Sequence, residues 1–318
     1  MTSLSRRSFG LAALSAPALL TATTLPARAD GHAKGAPALF DAPIGTYRMT
    51  SLFDGMGPLQ KAMFKPADSA EMDAVLAAAG LSGEAMPAPI TAFLLQSEDR
   101  TILIDSGLGD LDMFGPGLGR VSDGLAAMGV APEDVDLVIV THAHPDHIGG
   151  MVGANGAVFP NAEVAIAQAE IDFWGDAGIM AQAPEEAQGL FQLAQGVYSA
   201  YGDRLIPITA DTEVAPGITM ELSPGHTPGH ALVHIDGGTR ELLMVADTLH
   251  SSVVHTALPD TGFGFDTDSP LAASSRRRVF DRAAADNLLI AATHVPFPGI
   301  GRFVRSGEAY AYVPASVM

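Results

Sequence analysis

The chain has no cysteine, and basic residues are scarce beside acidic ones. Its 318 residues include 17 lysines and arginines against 36 aspartates and glutamates, a formal net charge of −19. Without cysteine there can be no disulfide, no thiolate metal ligand and no cysteine nucleophile. The acidic balance argues against nucleic acid as a partner and favours a neutral substrate over a strongly anionic one. Any metal site must therefore be built from histidine and carboxylate side chains.

Long apolar runs are also lacking, except for one near the N-terminus. There Arg6-Arg7 precedes an apolar run over residues 10–20, and Ala27-Arg28-Ala29 supplies the small residues of a cleavage site. The pattern resembles a bacterial twin-arginine export signal, because the run is short and rich in Ala, Ser and Thr for a membrane span. We expect residues 1–29 to be a signal peptide, the mature protein to be periplasmic or secreted, and the mature form to have no membrane segment.

The remaining chain is predicted to form one domain. Residues 30–45, rich in Gly, Ala and Pro, are expected to be a loose mature N-terminus, and residues 46–318 a single domain. Short apolar strands alternate with helices along this domain without a clear break. This pattern predicts an α/β fold with two β-sheets packed face to face and helices outside. The basic run Arg276–Arg278 is expected on a solvated helix face.

A cluster of polar residues follows the apolar run over residues 135–140. It packs three imidazoles and a carboxylate into six residues. The first two histidines are two residues apart at a strand end, so they point to the same side. The Asp-His pair that follows lies where a helix is expected to begin and approaches the same point from another direction. Neutral imidazole and carboxylate suit zinc and similar divalent ions, which indicates half of a two-metal site. These candidate ligands are His142, His144, Asp146 and His147.

Three later positions share another pattern, a polar side chain placed after an apolar strand. They are His226, Asp247 and His294. Loops at strand ends can bring such side chains to one rigid centre. Together with the four residues above they make seven candidate ligands, which is enough for two metal ions that share a bridging ligand.

The seven residues resemble the ligand set of the metallo-β-lactamase-fold hydrolases, whose motif His-x-His-x-Asp-His is met at residues 142–147. The likeness extends over roughly residues 45–300. It implies a four-layer αββα sandwich of two mixed sheets with helices outside. Within that superfamily the chain looks like the methyl parathion hydrolase and quorum-quenching lactonase group. The stretches that carry this likeness are Gly225–His230, Asp247–His250 and Thr293–Gly299.

The resemblance also implies a role for individual residues. The first metal would be held by His142, His144 and His226, the second by Asp146, His147 and His294, with Asp247 as the bridge. Asp146 and Asp247 are the expected catalytic carboxylates, Asp146 as carrier of a proton to the leaving oxygen. The expected pocket residues are Phe114, Trp174, Phe191 and His250, and Asp105 and His230 are expected to hold ligands in place. Zinc is the expected metal, with manganese, cobalt and iron as alternatives.

This resemblance implies hydrolysis by a hydroxide that two divalent ions share. The apolar pocket favours a small, neutral, hydrophobic substrate, so we expect a lactonase for acyl-homoserine lactones with phosphotriester hydrolysis as a side reaction. Three alternatives stay open. The chain can be an organophosphate or aryl-ester hydrolase, a β-lactamase or thioesterase of the same fold, or an exported metal-binding protein with a decayed site. Relatives suggest a homodimer.

Overall fold

A computed structural model describes residues 36–81 and 84–315 of the chain. The predicted signal peptide lies outside these described residues. The strands, in chain order, are β1 (Leu39–Ile44), β2 (Tyr47–Gln60), β3 (Phe64–Lys65), β4 (Ala85–Gln96), β5 (Thr101–Ile104), β6 (Leu137–Ile139), β7 (Val152–Gly153), β8 (Gly156–Ala157), β9 (Glu163–Ala167), β10 (Leu205–Ile208), β11 (Thr212–Ala215), β12 (Ile218–Leu222), β13 (Ala231–Asp236), β14 (Glu241–Met244), β15 (Gly262–Phe263), β16 (Leu289–Ala291), β17 (Ile300–Ser306) and β18 (Ala309–Pro314).

The helices lie between these strands, mostly in the first two thirds of the chain. They are α1 (Ala70–Ala78), α2 (Val121–Ala127), α3 (Pro145–Ile148), α4 (Gln168–Trp174), α5 (Ala177–Gln182), α6 (Glu185–Tyr201), α7 (Val254–Ala257) and α8 (Ser269–Ala285). Short 3-10 turns cover Lys61–Met63, Pro132–Asp134, Gly149–Met151, Gly202–Arg204 and Ala246–Thr248. In the described part of the chain, no helix is both long and apolar enough to cross a membrane.

Fourteen of the strands form two seven-stranded sheets. The first has the order β1-β2-β4-β5-β6-β9-β10, and the second has the order β11-β12-β13-β14-β16-β17-β18. Both are mixed: β5, β6, β9 and β10 run parallel in the first, and β14 and β16 run parallel in the second, while the other pairs are antiparallel. Each half of the chain therefore supplies one sheet.

Alternating side chains place each sheet between two apolar layers. On β4, Phe93 and Leu95 enter the core shared by the two sheets, whereas Leu94 between them faces the opposite side. That side of the first sheet packs on α2, α4 and α6, and the outer side of the second packs on α8 through Val279 and Phe280. Successive strand residues point to opposite faces, so alternation of this kind buries both faces of a sheet. The predicted four-layer αββα sandwich is confirmed.

For residues 39–44 the structure corrects the prediction of a loose segment over residues 30–45, whereas residues 30–35 lie outside the described residues. Leu39–Ile44 form β1, which pairs along its whole length with β2 in an antiparallel register. Ile44 is fully buried in the core between the sheets. Burial of this side chain and the ladder of backbone hydrogen bonds outweigh the Ala- and Pro-rich composition, which on its own favours a loop.

The prediction that Arg276 lies on a solvated helix face is also wrong. Its side chain is 1% exposed, and its guanidinium donates to the carbonyl oxygens of Thr248 at 2.7 Å, Pro259 at 2.8 Å and Thr261 at 2.8 Å. Burial lowers the pKa of Arg276 to about 10. Since a buried guanidinium needs partners for its donors, these three carbonyls tie α8 to the segment between β14 and β15.

Candidate active site

The seven predicted ligands come together because four strands end at the same edge of the sandwich. The His142–His147 stretch follows β6, His226 follows β12, Asp247 follows β14 and His294 follows β16. Parallel neighbours bring their carboxyl ends to one edge, and β5 with β6, and β14 with β16, are such pairs. The two sheets thus present their loops to a common centre.

The first group of side chains contains three imidazole nitrogens in close contact. Nδ1 of His144 lies 3.0 Å from Nε2 of His142 and 3.0 Å from Nε2 of His226. Oδ2 of Asp247 lies 3.7 Å from Nε2 of His142 and 3.6 Å from Nε2 of His226. All four ligand atoms are within 4.8 Å of one another, the spacing of a site that can hold one metal ion.

The second group contains one carboxylate and two imidazoles. Oδ2 of Asp146 lies 3.3 Å from Nε2 of His294 and 3.7 Å from Nε2 of His147. Asp247 reaches this group too, with Oδ1 at 3.2 Å from Nε2 of His147 and Oδ2 at 3.2 Å from Nε2 of His294. Asp247 is therefore the one carboxylate among the seven in contact with both groups, the place that a bridging ligand must occupy.

Hydrogen bonds on the far side of the rings decide which nitrogen faces the centre. Nδ1 of His147 donates to Asp105 at 2.8 Å, Nδ1 of His226 to Asp266 at 2.9 Å, and Nδ1 of His294 to the carbonyl of Pro89 at 3.0 Å. A proton held on Nδ1 leaves the lone pair on Nε2, directed at the centre. Asp105 thus lies against the ligand candidate His147, and the same carboxylate also accepts from Thr141, the residue before His142.

The two groups differ in their charge. Burial holds the pKa values of His142, His144 and His226 well below the ordinary histidine range, so these rings are neutral and offer lone pairs. Burial also lowers the pKa of His147 and His294, but nearby carboxylates, Asp247 foremost, outweigh it. They raise the pKa of His147 well above its usual range and that of His294 to about 10. The second group is therefore electrostatically suited to a positive charge at its centre.

Two buried atoms at this centre indicate that a cation fits. Among the described residues, Nε2 of His147 and Oδ1 of Asp247 have no hydrogen-bond partner of normal geometry. Buried polar atoms normally have such partners, so a pair without them calls for an explanation. A donor set of five imidazoles and two carboxylates matches the preference of zinc and similar divalent ions. The residues present therefore fit a metal pair.

Two further histidines, predicted at the edge of the site, lie against Asp247. Nε2 of His230 accepts a hydrogen bond from the backbone N–H of Asp247 at 3.2 Å, and its Nδ1 donates to the carbonyl of Ser223 at 3.1 Å. His250 places Nε2 at 3.2 Å from Oδ2 of Asp247, and its ring stacks on Phe263 at 3.7 Å. His230 therefore holds the backbone of Asp247, and His250 forms a buried wall beside its carboxylate. The residue before Asp247, Ala246, has φ 42°, an uncommon conformation that keeps this turn tight.

The predicted pocket aromatics have three different positions. Trp174 contacts the site, since its ring lies 5.5 Å from that of His144. Phe191 is buried in the core behind Trp174, with ring centroids 4.7 Å apart, so its prediction as a pocket residue is corrected: it supports Trp174 from behind. Phe114 lies on an exposed loop beside Gly57, and none of the described ring contacts joins it to the site.

The sequence did not point to Phe265 as a residue of the site. Its side chain is 37% exposed, and its ring centroid lies 5.9 Å from that of His144.

Two buried carboxylates near the ligands were also missed. Asp266 holds His226, and Glu170 on α4 is fully buried beside Trp174. Burial raises the pKa of both carboxyl groups. Hydrogen-bond donors partly offset this effect at Glu170, and the charges of His250 and Arg276 partly offset it at Asp266. Asp266 lies in a loop rich in Gly and Phe, where no periodic pattern marks it. Glu170 lies between two other polar residues of α4, Gln168 and Asp172, so the local sequence does not mark it either.

Comparison with known proteins agrees with this geometry. The sequence profile of the Metallo-beta-lactamase superfamily matches residues 85–294, and the chain belongs to that superfamily. An N-acyl homoserine lactonase from a Bacillus species is 29% identical over 241 residues, which cover 70% of this chain and 87% of that protein. These likenesses confirm the predicted class, a metal-dependent hydrolase.

Two solved structures are similar over nearly the whole chain. AidC, a dizinc quorum-quenching lactonase in complex with the product N-hexanoyl-L-homoserine, has a TM-score of 0.82 and 28% identity, covering 89% of this chain and 99% of that one. AbOPH, a hydrolase in the beta lactamase superfamily, has a TM-score of 0.81 and 30% identity, covering 88% of this chain and 98% of that one. The predicted likeness to the lactonase group is confirmed.

The contact between His226 and Asp266 leads to a prediction. Asp266→Asn is expected to weaken zinc binding or lower kcat/KM by about 10- to 100-fold, because an amide holds the ring tautomer less firmly than a carboxylate. Asp268→Asn is the matched control. Asp268 caps α8 by accepting from the N–H of Leu271, and asparagine caps a helix equally well. Equal effects of the two substitutions on zinc affinity, measured by competition with a chromophoric chelator, would refute the role of Asp266.

Proposed function

We propose that the protein is a dizinc lactonase that opens the ring of N-acyl homoserine lactones. One observation carries the proposal. Two groups of candidate ligands are joined by Asp247. Two aromatic rings, the buried Trp174 and the partly exposed Phe265, lie beside the ligand His144 and are called the aromatic surface below. The ligands suit hydrolysis of an ester-type bond, and the surface suits an acyl chain. The similarity to N-acyl homoserine lactonases and to a dizinc lactonase supports the same assignment.

The chemistry divides between the ions and the protein. Two bound divalent ions would lower the pKa of a water molecule toward about 7 and polarise the lactone carbonyl. Asp247 holds the two ligand groups at a fixed distance. The side chain of Asp146 is 13% exposed, so it can reach the substrate. We propose that its carboxylate takes the proton of the attacking water and delivers it to the ring oxygen. A C–O bond forms to the water oxygen, the ring C–O bond breaks, and the leaving oxygen becomes a hydroxyl group.

The surroundings of the site favour a neutral substrate with an apolar chain. The chain carries a formal net charge of −19, which repels anions. The buried cation near the site, Arg276, already donates to three carbonyl oxygens and is directed at the loop behind Asp247. An acyl-homoserine lactone is uncharged and presents both a strained ester and an apolar tail. It therefore matches the ligands and the aromatic surface together.

A substrate panel tests this function directly. Ring opening of N-hexanoyl and N-decanoyl homoserine lactones is compared with hydrolysis of an aryl ester, a phosphotriester, a thioester and nitrocefin by the zinc-loaded protein. The proposal predicts the highest kcat/KM for a lactone, with phosphotriester turnover as a slow side reaction. A higher kcat/KM for the aryl ester or the phosphotriester would assign the main activity to that class. Fast nitrocefin turnover without lactone turnover would overturn the proposal.

Phe265 provides a test of chain-length specificity. Phe265→Ala is expected to raise KM for the decanoyl lactone by about tenfold and to change KM for a butanoyl lactone little. Each methylene that leaves water is worth about 0.8 kcal/mol, and we propose that the longer chain covers more of the ring. Val304→Ala on β17 is the control, because Val304 is similarly exposed at 39% but lies on the outer part of the second sheet. Equal changes for both chain lengths would remove Phe265 from the acyl site.

A further inference from the structure

We propose that Glu170 is a positioning residue that sets the geometry of the first ligand group by joining its two loops through one buried carboxylate. The inference rests on the proposed two-metal site. Glu170 is not one of the seven ligands. It acts on them indirectly, because it binds backbone N–H groups in the loops that carry them.

Three N–H groups from different parts of the chain donate hydrogen bonds to Glu170. Its Oε2 accepts from the backbone N–H of Ala143 at 2.9 Å and from the indole N–H of Trp174 at 2.9 Å. Its Oε1 accepts from the backbone N–H of Gly229 at 2.7 Å. Ala143 lies between His142 and His144, and Gly229 follows His226 by three residues. A single side chain therefore fixes the loops that carry all three nitrogens of the first group.

The glycine at position 229 allows this contact. A Cβ atom there would lie 2.7 Å from the backbone nitrogen of Glu170 and 2.8 Å from Cβ of Ala167. These atoms belong to the end of β9 and the beginning of α4, where backbone cannot move aside easily. The His226 loop thus approaches α4 more closely than any residue with a side chain would permit. This close approach is independent of the hydrogen bonds, and it brings the loop to the same carboxylate.

The ionised form of Glu170 is the form that these contacts require. Each of the three partners is an N–H group that can only donate, so both oxygens must accept. Glutamine would place an NH₂ group against at least one of these N–H donors and leave that donor buried without a partner. The side chain is fully buried, so water cannot replace the lost bond. The substitution Glu170→Gln is therefore expected to loosen at least one of the two loops that contain Ala143 and Gly229.

Glu170 also connects the first ligand group with the aromatic surface. The indole that donates to Oε2 is the ring 5.5 Å from His144. The second group does not depend on Glu170 in this way. Its histidines have other partners, Asp105 for His147 and the carbonyl of Pro89 for His294. Loss of the Glu170 carboxylate should consequently weaken metal binding at the first group and leave the second intact.

Zinc occupancy in crystals tests this selectivity. Full-length protein, depleted of metal and reloaded with limiting zinc, is crystallised as wild type and as Glu170→Gln, Asp105→Asn and Tyr198→Phe. Anomalous scattering then gives the occupancy at each group. Tyr198→Phe is the matched control, since the Tyr198 hydroxyl donates to the backbone carbonyl of Glu170 at 3.3 Å and leaves the carboxylate untouched.

The inference predicts a selective loss at the first group. Glu170→Gln should lower zinc affinity at His142, His144 and His226 by about 10- to 100-fold and leave the second group unchanged. Asp105→Asn should lower it at the group containing His147, and also at His142, because Asp105 accepts from Thr141 as well. Tyr198→Phe should change neither. If Glu170→Gln does not fold, Glu170→Asp keeps the charge and shortens the reach, and the same selective loss is expected. Equal loss at both groups, or no loss, would overturn the role of Glu170. Absence of zinc from both groups in the wild type would instead overturn the proposed two-metal site.

Discussion

Replacing Asp247 with asparagine is expected to lower kcat/KM for lactone opening by about 1000-fold or more. Asp247 contacts both ligand groups, with Oδ1 3.2 Å from Nε2 of His147 and Oδ2 3.2 Å from Nε2 of His294. The amide of asparagine carries no charge and can present only one oxygen, so the two groups lose their common anchor. A loss of about 4 kcal/mol in transition-state stabilisation corresponds to this factor.

The experiment compares Asp247→Asn with a surface control. Asp281→Asn removes a carboxylate of similar size that pairs with Arg305 on the protein surface, and it should leave kcat/KM unchanged. Zinc content is measured on the same preparations, and the Asp247 variant is expected to retain fewer than two ions per chain. A kcat/KM within tenfold of the wild-type value, with two zinc ions still bound, would show that Asp247 is not the bridge.

Metal removal is expected to abolish activity and to lower the melting temperature by about 10 °C. A ligand that binds only the folded state at about a thousand times its Kd adds about 4 kcal/mol to stability. For chains of this size each kcal/mol shifts Tm by about 2–4 °C. Without the ions, the buried carboxylates and imidazoles at the ends of four strands lose the positive charge that they surround. The loops at this edge should therefore be the first to loosen.

The measurement is a thermal melt before and after dialysis against a chelator, followed by readdition of zinc. Activity and Tm should recover together, because both depend on the same ligands. In Asp247→Asn the fall in Tm on chelation should be smaller, since less metal is bound at the start. Full lactone turnover after complete removal of metal would contradict the assignment of a metal-dependent site.

The ligand set was predictable because its chemistry is rare and much of it is local. The four ligands of residues 142–147 lie within one loop and the short helix α3, so their spacing alone implies a shared centre. His226, Asp247 and His294 were individually ambiguous. They became informative as a set, because each follows an apolar strand and strand ends converge at one edge of a sandwich. Strand and helix positions around them followed from alternation and apolar runs, as in the β4–β5 hairpin.

Two of the residues that support the ligands, Glu170 and Asp266, could not be predicted for a physical reason. Glu170 accepts from N–H groups 27 and 59 residues away, and Asp266 holds a ring 40 residues away. Nothing in the local sequence marks an acid whose partners are distant backbone groups. Phe191 illustrates the same limit, because an aromatic in a helix can face the site or the core. The N-terminal strand β1 was missed since its stability comes from pairing with β2 rather than from its own composition.

The most direct test of the central claim is lactone opening measured against zinc added to metal-depleted protein. Ring opening produces a carboxylic acid, so proton release in a weakly buffered solution reports turnover. If Asp247 joins two zinc sites that act together, the rate should rise to its maximum at two zinc ions per chain and remain constant beyond that point. A maximum at one zinc ion per chain, or no lactone opening at any zinc concentration, would contradict the account.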